Sequence, residues 1–215
     1  MKRFILSISI VALALVTACP AHALAAIYSY DDGGTREADI CIYGATSGGI
    51  MAAYTAKKAG KSVILIEPSR RIGGLTAGGL GFTDIGRVEI IRGHALEFYR
   101  RVGKTYGSNE PAFKFEPKVA LSVFEGFLRD ADITVLMERR IVKASKKGNL
   151  LTQITLEDAS NQHRPKLKVS ARMFIDCSYE GDLMARSGVS YTVGRESNAT
   201  YGEDYNGVQM LEKHQ

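Results

Sequence analysis

ADICIYGATSGGIMAAYTAKKAGKSVILIEP, residues 38–68, decides the fold. Residues 38–43 form a short apolar run of strand type, and Gly44-Ala-Thr-Ser-Gly48-Gly49 is a tight turn. An alanine-rich helix follows, closed by Gly60 at its C-cap, and residues 63–66 make a second buried strand. The unit is therefore βαβ, and its strand–turn–helix junction is where a pyrophosphate rests on a helix N-terminus. Gly44 lets the chain turn sharply out of the strand. Gly49 lets the helix lie close on the sheet, and Ala52, Ala53 and Ala56 keep that helix surface thin. Thr46 stands where a middle glycine usually gives the pyrophosphate room; Gly48 is nearby, and a threonine hydroxyl can itself donate to phosphate. Glu67 ends the second strand, about 20 residues after the first glycine, where a carboxylate accepts from a ribose 2′-hydroxyl and repels a 2′-phosphate. A glycine turn alone would be an ordinary βαβ turn. With the flanking strands, the helix and the carboxylate, the stretch reads as a dinucleotide site.

The N-terminus reads as an export signal. Met1-Lys2-Arg3 is a basic head, residues 4–18 are apolar and uncharged, and Ala21-His22-Ala23 offers a cleavage site. The run is too short for a comfortable membrane span. Residues 1–23 are accordingly expected to be a signal peptide of an exported, periplasmic or extracellular protein. Val16-Thr-Ala-Cys19 also resembles a lipobox, which would make Cys19 a lipid anchor, although Pro20 directly after it argues against this. Residues 24–37 are expected to be a polar linker with a turn at Asp31-Asp32-Gly33-Gly34.

Composition fits a globular α/β chain: 45% hydrophobic, 24% charged and 22 glycines in 215 residues, enough for one domain of ordinary size. The net charge of +5 includes Lys2 and Arg3 of the basic head, which leaves too little to argue for nucleic acid. Outside the export signal the cysteines are Cys41 and Cys177, each inside a strand-like run. Buried, inert thiols are expected, with a disulfide between neighbouring strands as the alternative. His94, His163 and His214 are scattered, without metal-ligand spacing.

Residues 69–86 form a glycine-dense loop directly after Glu67, a position that favours a ligand role. Residues 88–102 are expected to be helical, with Ile91, Ala95, Phe98 and Val102 on one face. Residues 117–131 form a second helix with Pro117 at its start and Ala120, Phe124, Phe127 and Leu128 facing inward. Residues 133–137 return as a strand. Runs at 141–144, 151–157 and 166–169 read as an antiparallel meander, followed by a separate buried strand at 173–177 and a helix near 183–186.

Several segments together resemble the N-terminal part of the bacterial FAD-dependent oxidoreductase family, related to flavoproteins of the glutathione-reductase and fumarate-reductase types. They are Gly44-Ala-Thr-Ser-Gly-Gly, the run from Glu67 through Arg70-Arg71-Ile-Gly73-Gly74-Leu-Thr76 to Gly81, Glu97-Phe-Tyr-Arg-Arg-Val-Gly, Phe115-Glu-Pro, Phe174-Ile-Asp-Cys-Ser-Tyr-Glu-Gly-Asp-Leu-Met-Ala, and Tyr191-Thr-Val-Gly-Arg-Glu. The resemblance covers about residues 38–209. It implies that FAD is the cofactor and that Gly44, Thr46, Ser47, Gly48 and Gly49 hold its pyrophosphate and Glu67 its adenosine ribose. Arg71, Gly73, Gly74 and Thr76 would line the path to the flavin, the backbone at Ile141 or Val142 would meet adenine, and Ser178 would approach the cofactor. The family pattern is broken at Thr46, and at Cys177-Ser178-Tyr179, where relatives often have Ala-Thr-Gly.

The fold expected is α/β: an FAD/NAD(P)-binding Rossmann-like domain over residues 38–190, a parallel sheet with helices on one side and an antiparallel β-meander on the other. Residues 191–215 would begin a substrate domain cut short, so the chain looks like a truncated member. The function implied is hydride transfer from a small organic substrate to FAD. An NAD-dependent dehydrogenase and a non-catalytic nucleotide-binding fragment are the alternatives. No catalytic acid or base is assigned; Asp84, Tyr179, Glu180 and Asp182 are polar residues near the expected site that also suit loop or helix-cap positions. No metal is implied.

Overall fold

The computed structural model describes residues 27–30 and 33–207. The expected export signal, the lipid anchor considered at Cys19 and the Asp31-Asp32 part of the expected turn lie outside the described residues.

One seven-stranded sheet runs in the order β1-β4-β3-β2-β7-β6-β5. Its strands are β1 (Tyr28–Ser29), β2 (Gly34–Tyr43), β3 (Val63–Ile66), β4 (Val135–Leu136), β5 (Arg139–Lys147), β6 (Leu150–Asp158) and β7 (Leu167–Asp176). From β1 through β7 in spatial order the pairing is parallel, whereas β7–β6 and β6–β5 are antiparallel. The helices are α1 (Ser47–Lys58), α2 (Gly74–Gly78), α3 (Gly93–Thr105), α4 (Pro117–Asp130), α5 (Asp182–Arg186) and α6 (Asn198–Tyr201).

Alternation along β2 explains the two cores. Ile42 points to the face covered by α1, α3 and α4, where Ile50, Ala53, Leu65, Phe98, Phe124 and Phe127 are buried. Cys41 and Tyr43 point to the other face and pack with Ile141, Ile154, Leu156 and Val169 of the meander. The meander therefore curls over the face that the helices leave bare. Tyr43 ties the two parts together: its hydroxyl accepts the Ile141 N–H at 3.1 Å, and burial pushes its phenol up to about 12.

The strands depart from the sequence reading in three places. Tyr28–Ser29, expected in the linker, is β1 and pairs in parallel with Val135–Leu136. Residues 34–37, expected in a linker, belong to β2, because Gly34–Ala38 pairs in parallel with Leu167–Ala171. The runs expected as a third meander strand and a separate buried strand are one strand, β7. It pairs with β6 over Leu167–Ser170 and with β2 along its length. Ser170, Ala171 and Arg172 break the apolar alternation, but ladder hydrogen bonds belong to the backbone and continue through them. Met173 is 59% exposed and Phe174 only half-buried, so this part of β7 is not the buried strand expected.

The helices differ as well. A 3₁₀ turn at Val88–Ile90 precedes α3, which starts only at Gly93. Phe98, Val102 and Gly103 make its buried face and Ala95 is exposed. The glycine-dense loop contains the short helix α2. Cys41 and Cys177 are free thiols associated with opposite cores, so the disulfide alternative is not realised. Burial pushes Cys41 up to about 12.

Asp158 closes the meander. It is 2% exposed, and its carboxylate accepts from the N–H groups of Ser160 and Asn161, the Ser160 hydroxyl and Arg164 Nη1. Burial alone would raise its pKa, but these donors outweigh burial and hold it at about 2. The unfolded carboxyl titrates near ~3.9, so the unfolded state binds more protons between those values. The contribution of Asp158 is thus complete above pH ~4 and lost as pH falls through about 2. Asp158→Asn is expected to destabilise the fold by about 1–3 kcal/mol at neutral pH. In urea titrations at several pH values, the gap to wild type should shrink on acidification; a constant gap would contradict this account.

Candidate functional site

The parallel strands β4, β3, β2 and β7 all end at one edge of the sheet. From β2 the chain moves outward through β3 and β4, then returns to β7 on the other side of β2. The gap between β2 and β7 is therefore a topological switch point, where α/β sheets place ligands beyond the strand carboxyl ends. A cleft of about 270 Å³ lies there. Among its walls are Gly44 and Thr46 from the turn after β2, Glu67, Pro68 and Ser69 after β3, and Ser178, Tyr179 and Glu180 after β7. Arg71, Ile72, Gly74, Ala77 and Gly78 close it from the glycine-dense loop.

The turn after β2 is built by close approach. Gly44 has φ +98°, and a Cβ there would lie 2.7 Å from the Cys177 carbonyl and the Ser178 nitrogen. A Cβ on Gly49 would overlap the Gly44 carbonyl oxygen, so α1 meets the sheet edge only as glycine. Gly48 is different: it is exposed, and the sole atom near a Cβ would be Thr46 Oγ1 at 3.8 Å. Thr46 caps α1. Its hydroxyl accepts the Gly49 N–H at 3.3 Å and donates to the Cys177 carbonyl at 3.0 Å. That hydrogen is committed to the protein, so the hydroxyl does not offer the phosphate donor expected from the sequence. In the first turn of α1 the Gly49 N–H is thus taken by Thr46, whereas those of Ser47 and Gly48 have no helical carbonyl to bond.

Glu67 is only 7% exposed. One carboxylate oxygen accepts the Ala45 N–H and the other the Ser69 N–H, both at 2.8 Å. The side chain thereby joins the β2 turn to the loop after β3, and each oxygen keeps a further lone pair for a ligand. Gly73 joins the same two segments through its N–H to the Ala45 carbonyl, 2.7 Å away.

Of the residues expected at the site, Gly44, Thr46, Glu67, Arg71, Gly74 and Ser178 line the cleft. Ser47 and Gly48 lie on the adjoining first turn of α1, Gly49 and Gly73 pack behind the walls, and Thr76 sits within α2. Ile141 and Val142 are not among the cleft's lining residues, although the Arg139 N–H just before them bonds the Glu67 carbonyl at 3.1 Å. Ile141 is 2% exposed in the meander core with its N–H held by Tyr43, and Val142 is beside it on β5. Glu180 and Tyr179 are cleft residues, Asp182 belongs to the first turn of α5, and Asp84 is exposed away from the cleft walls.

The sequence reading passed over Asp176. Its carboxylate accepts the Ser178 N–H and hydroxyl at 2.9 and 2.7 Å and the Met184 N–H at 2.8 Å. Ser178 Oγ in turn accepts the Asp182 N–H at 3.1 Å. Asp176 thus fixes the turn that carries the β7 wall, and the Asp-x-Ser pattern after an apolar run is the signal that could have revealed it. Among the described residues no group of three or more His, Cys, Asp or Glu side chains could hold a metal, and no helix is long and apolar enough to cross a membrane.

A sequence model of the family described as FAD dependent oxidoreductase matches residues 39–215. Curated proteins give no match. The fold is similar to a flavoprotein/dehydrogenase from Cytophaga hutchinsonii, with TM-score 0.54 and 17% identity over 75% of this chain and 44% of that one. AlpK gives TM-score 0.51 and 15% identity over 71% of this chain and 34% of its own. THI4 from Thermovibrio ammonificans gives 0.50 and 20%, over 72% and 64%. At these identities the likeness is one of fold, and the chain spans 34% to 64% of the length of these three structures.

Proposed function

The chain belongs to the FAD-dependent oxidoreductase family, and from that we propose that the cleft between β2, β3 and β7 holds FAD for hydride transfer from a small organic substrate. The observation carrying the proposal is that Glu67 and the Gly44–Thr46 turn line one cleft at the switch point of the sheet.

The residues fit such a ligand. The open space at Gly48 leaves the first turn of α1 approachable, and its N–H groups suit the negative charge of a pyrophosphate. Glu67 suits the ribose hydroxyls of the adenosine half. Arg71, exposed on the cleft wall, places a permanent positive charge where phosphate or a developing anion needs one. Asp176 and Ser178 position the β7 wall and hold no proton in transit. When bound, FAD supplies the two-electron acceptor, while the chain supplies orientation and electrostatics.

An NAD cofactor would use Glu67 equally well. FAD is favoured by the family match and by the glycine-dense loop, which folds back on the β2 turn through Gly73. Equilibrium titration of the purified chain with FAD and with NADH tests the reading. Saturable flavin uptake without comparable NADH binding is expected; tight NADH binding with no flavin uptake would overturn it. Anaerobic mixing of the loaded protein with polyols and sugars then asks which substrate bleaches the flavin.

A further inference from the structure

Tyr179 stands across the cleft. It is 58% exposed, yet its hydroxyl is pinned, accepting the Leu75 N–H at 2.6 Å. A Cβ on Gly74 would overlap that hydroxyl, and the same point lies 3.3 Å from Thr46 Cβ. The phenol therefore reaches from the β7 loop to α2, where Gly74 lies between it and Thr46, and Thr46, Gly74 and Tyr179 all line the one cleft. Gly74 is the position that makes the crossing fit.

Resting on the FAD reading above, we propose that Tyr179 is a bar that discriminates nucleotides by length. A nucleotide with a single phosphate reaches from Glu67 to the glycine turn and stays behind the bar. A dinucleotide has to continue past Thr46 and Gly74, which requires the phenol to swing out. The turn beneath is fixed, because Asp176 holds the Ser178 N–H and hydroxyl and the Met184 N–H. The movement is thus a rotation of one exposed side chain. It breaks one hydrogen bond, and the apparent affinity for the longer ligand is reduced by the fraction of molecules in the closed state.

The test uses the intact chain as wild type, Tyr179→Phe and Tyr179→Gly. FAD binding is followed by flavin fluorescence at equilibrium and in stopped flow, and AMP binding by ligand-detected NMR. Tyr179→Phe removes the Leu75 bond and is expected to raise FAD affinity and association rate roughly 2- to 10-fold, the equivalent of one net hydrogen bond. Tyr179→Gly should raise them at least as much, with AMP affinity unchanged in both variants. If the glycine variant does not fold, the phenylalanine variant decides. FAD binding that is unchanged or weaker in Tyr179→Phe, with AMP still bound, would overturn the bar and leave the cofactor reading standing. Absence of both FAD and AMP binding from every variant would overturn the cofactor reading itself.

Discussion

Glu67→Ala is expected to lose flavin binding and, at the same time, to destabilise the fold by about 2–4 kcal/mol. The sequence places Glu67 at a strand end facing a ligand, which predicts a smaller effect on folding than on binding. The structure alters that balance. The carboxylate is 7% exposed and accepts the Ala45 and Ser69 N–H groups, the first of them fully buried. Alanine leaves both donors without their acceptor, and an orphaned buried donor costs about 1–3 kcal/mol. The loops after β2 and β3 would also lose the link that sets the width of the cleft. Glu67→Gln keeps one acceptor oxygen and should fall between alanine and wild type. Urea unfolding measures the folding effect and flavin titration the binding effect. An unchanged unfolding midpoint in Glu67→Ala would show that the carboxylate does not brace the two loops.

Gly49→Ala is expected to cost about 3 kcal/mol, at the upper end of the range for inserting one methyl group into a packed interior. The added carbon would overlap the Gly44 carbonyl oxygen and lie 3.3 Å from Cys177 Cβ. Both neighbours belong to the sheet edge and cannot rotate aside, so α1 must lift. Its neighbour Gly48 provides the control. Gly48→Ala meets only Thr46 Oγ1 at 3.8 Å and replaces glycine by a better helix former, worth up to ~1 kcal/mol. It should melt at the wild-type temperature or slightly above. Equal destabilisation by the two substitutions would contradict the packing described for α1.

How much of this was legible depends on the range of each interaction. The βαβ unit, its glycine turn and Glu67 are coded within residues 38–68, and α1 and β3 follow the local pattern. The continuity of β7 was not legible, because Ser170-Ala171-Arg172 interrupts the side-chain pattern while the ladder to β2 continues through the backbone. The same limit applies to Gly34 and its neighbours, whose polar side chains disguise a strand. At the site, Thr46 looks like a phosphate donor until Cys177, distant in sequence, claims its hydrogen. Ile141 looks available to adenine until Tyr43 takes its N–H. Both partners are distant in sequence: Cys177 follows β7, which pairs with β2, and Tyr43 meets Ile141 of β5 in the core that the meander shares with β2. Tyr179 was visible as a departure from the family pattern, but its reach to Leu75 comes from the turn set by Asp176.

Hydrogen–deuterium exchange of the intact chain with and without FAD tests the central claim most directly, because it reports where the ligand sits. Slower exchange is expected on FAD addition in residues 44–50, 67–78 and 177–182, with the meander around Ile141 and Val142 unchanged. Protection centred on the meander, or none in the segment from Gly44 to Gly49, would contradict it.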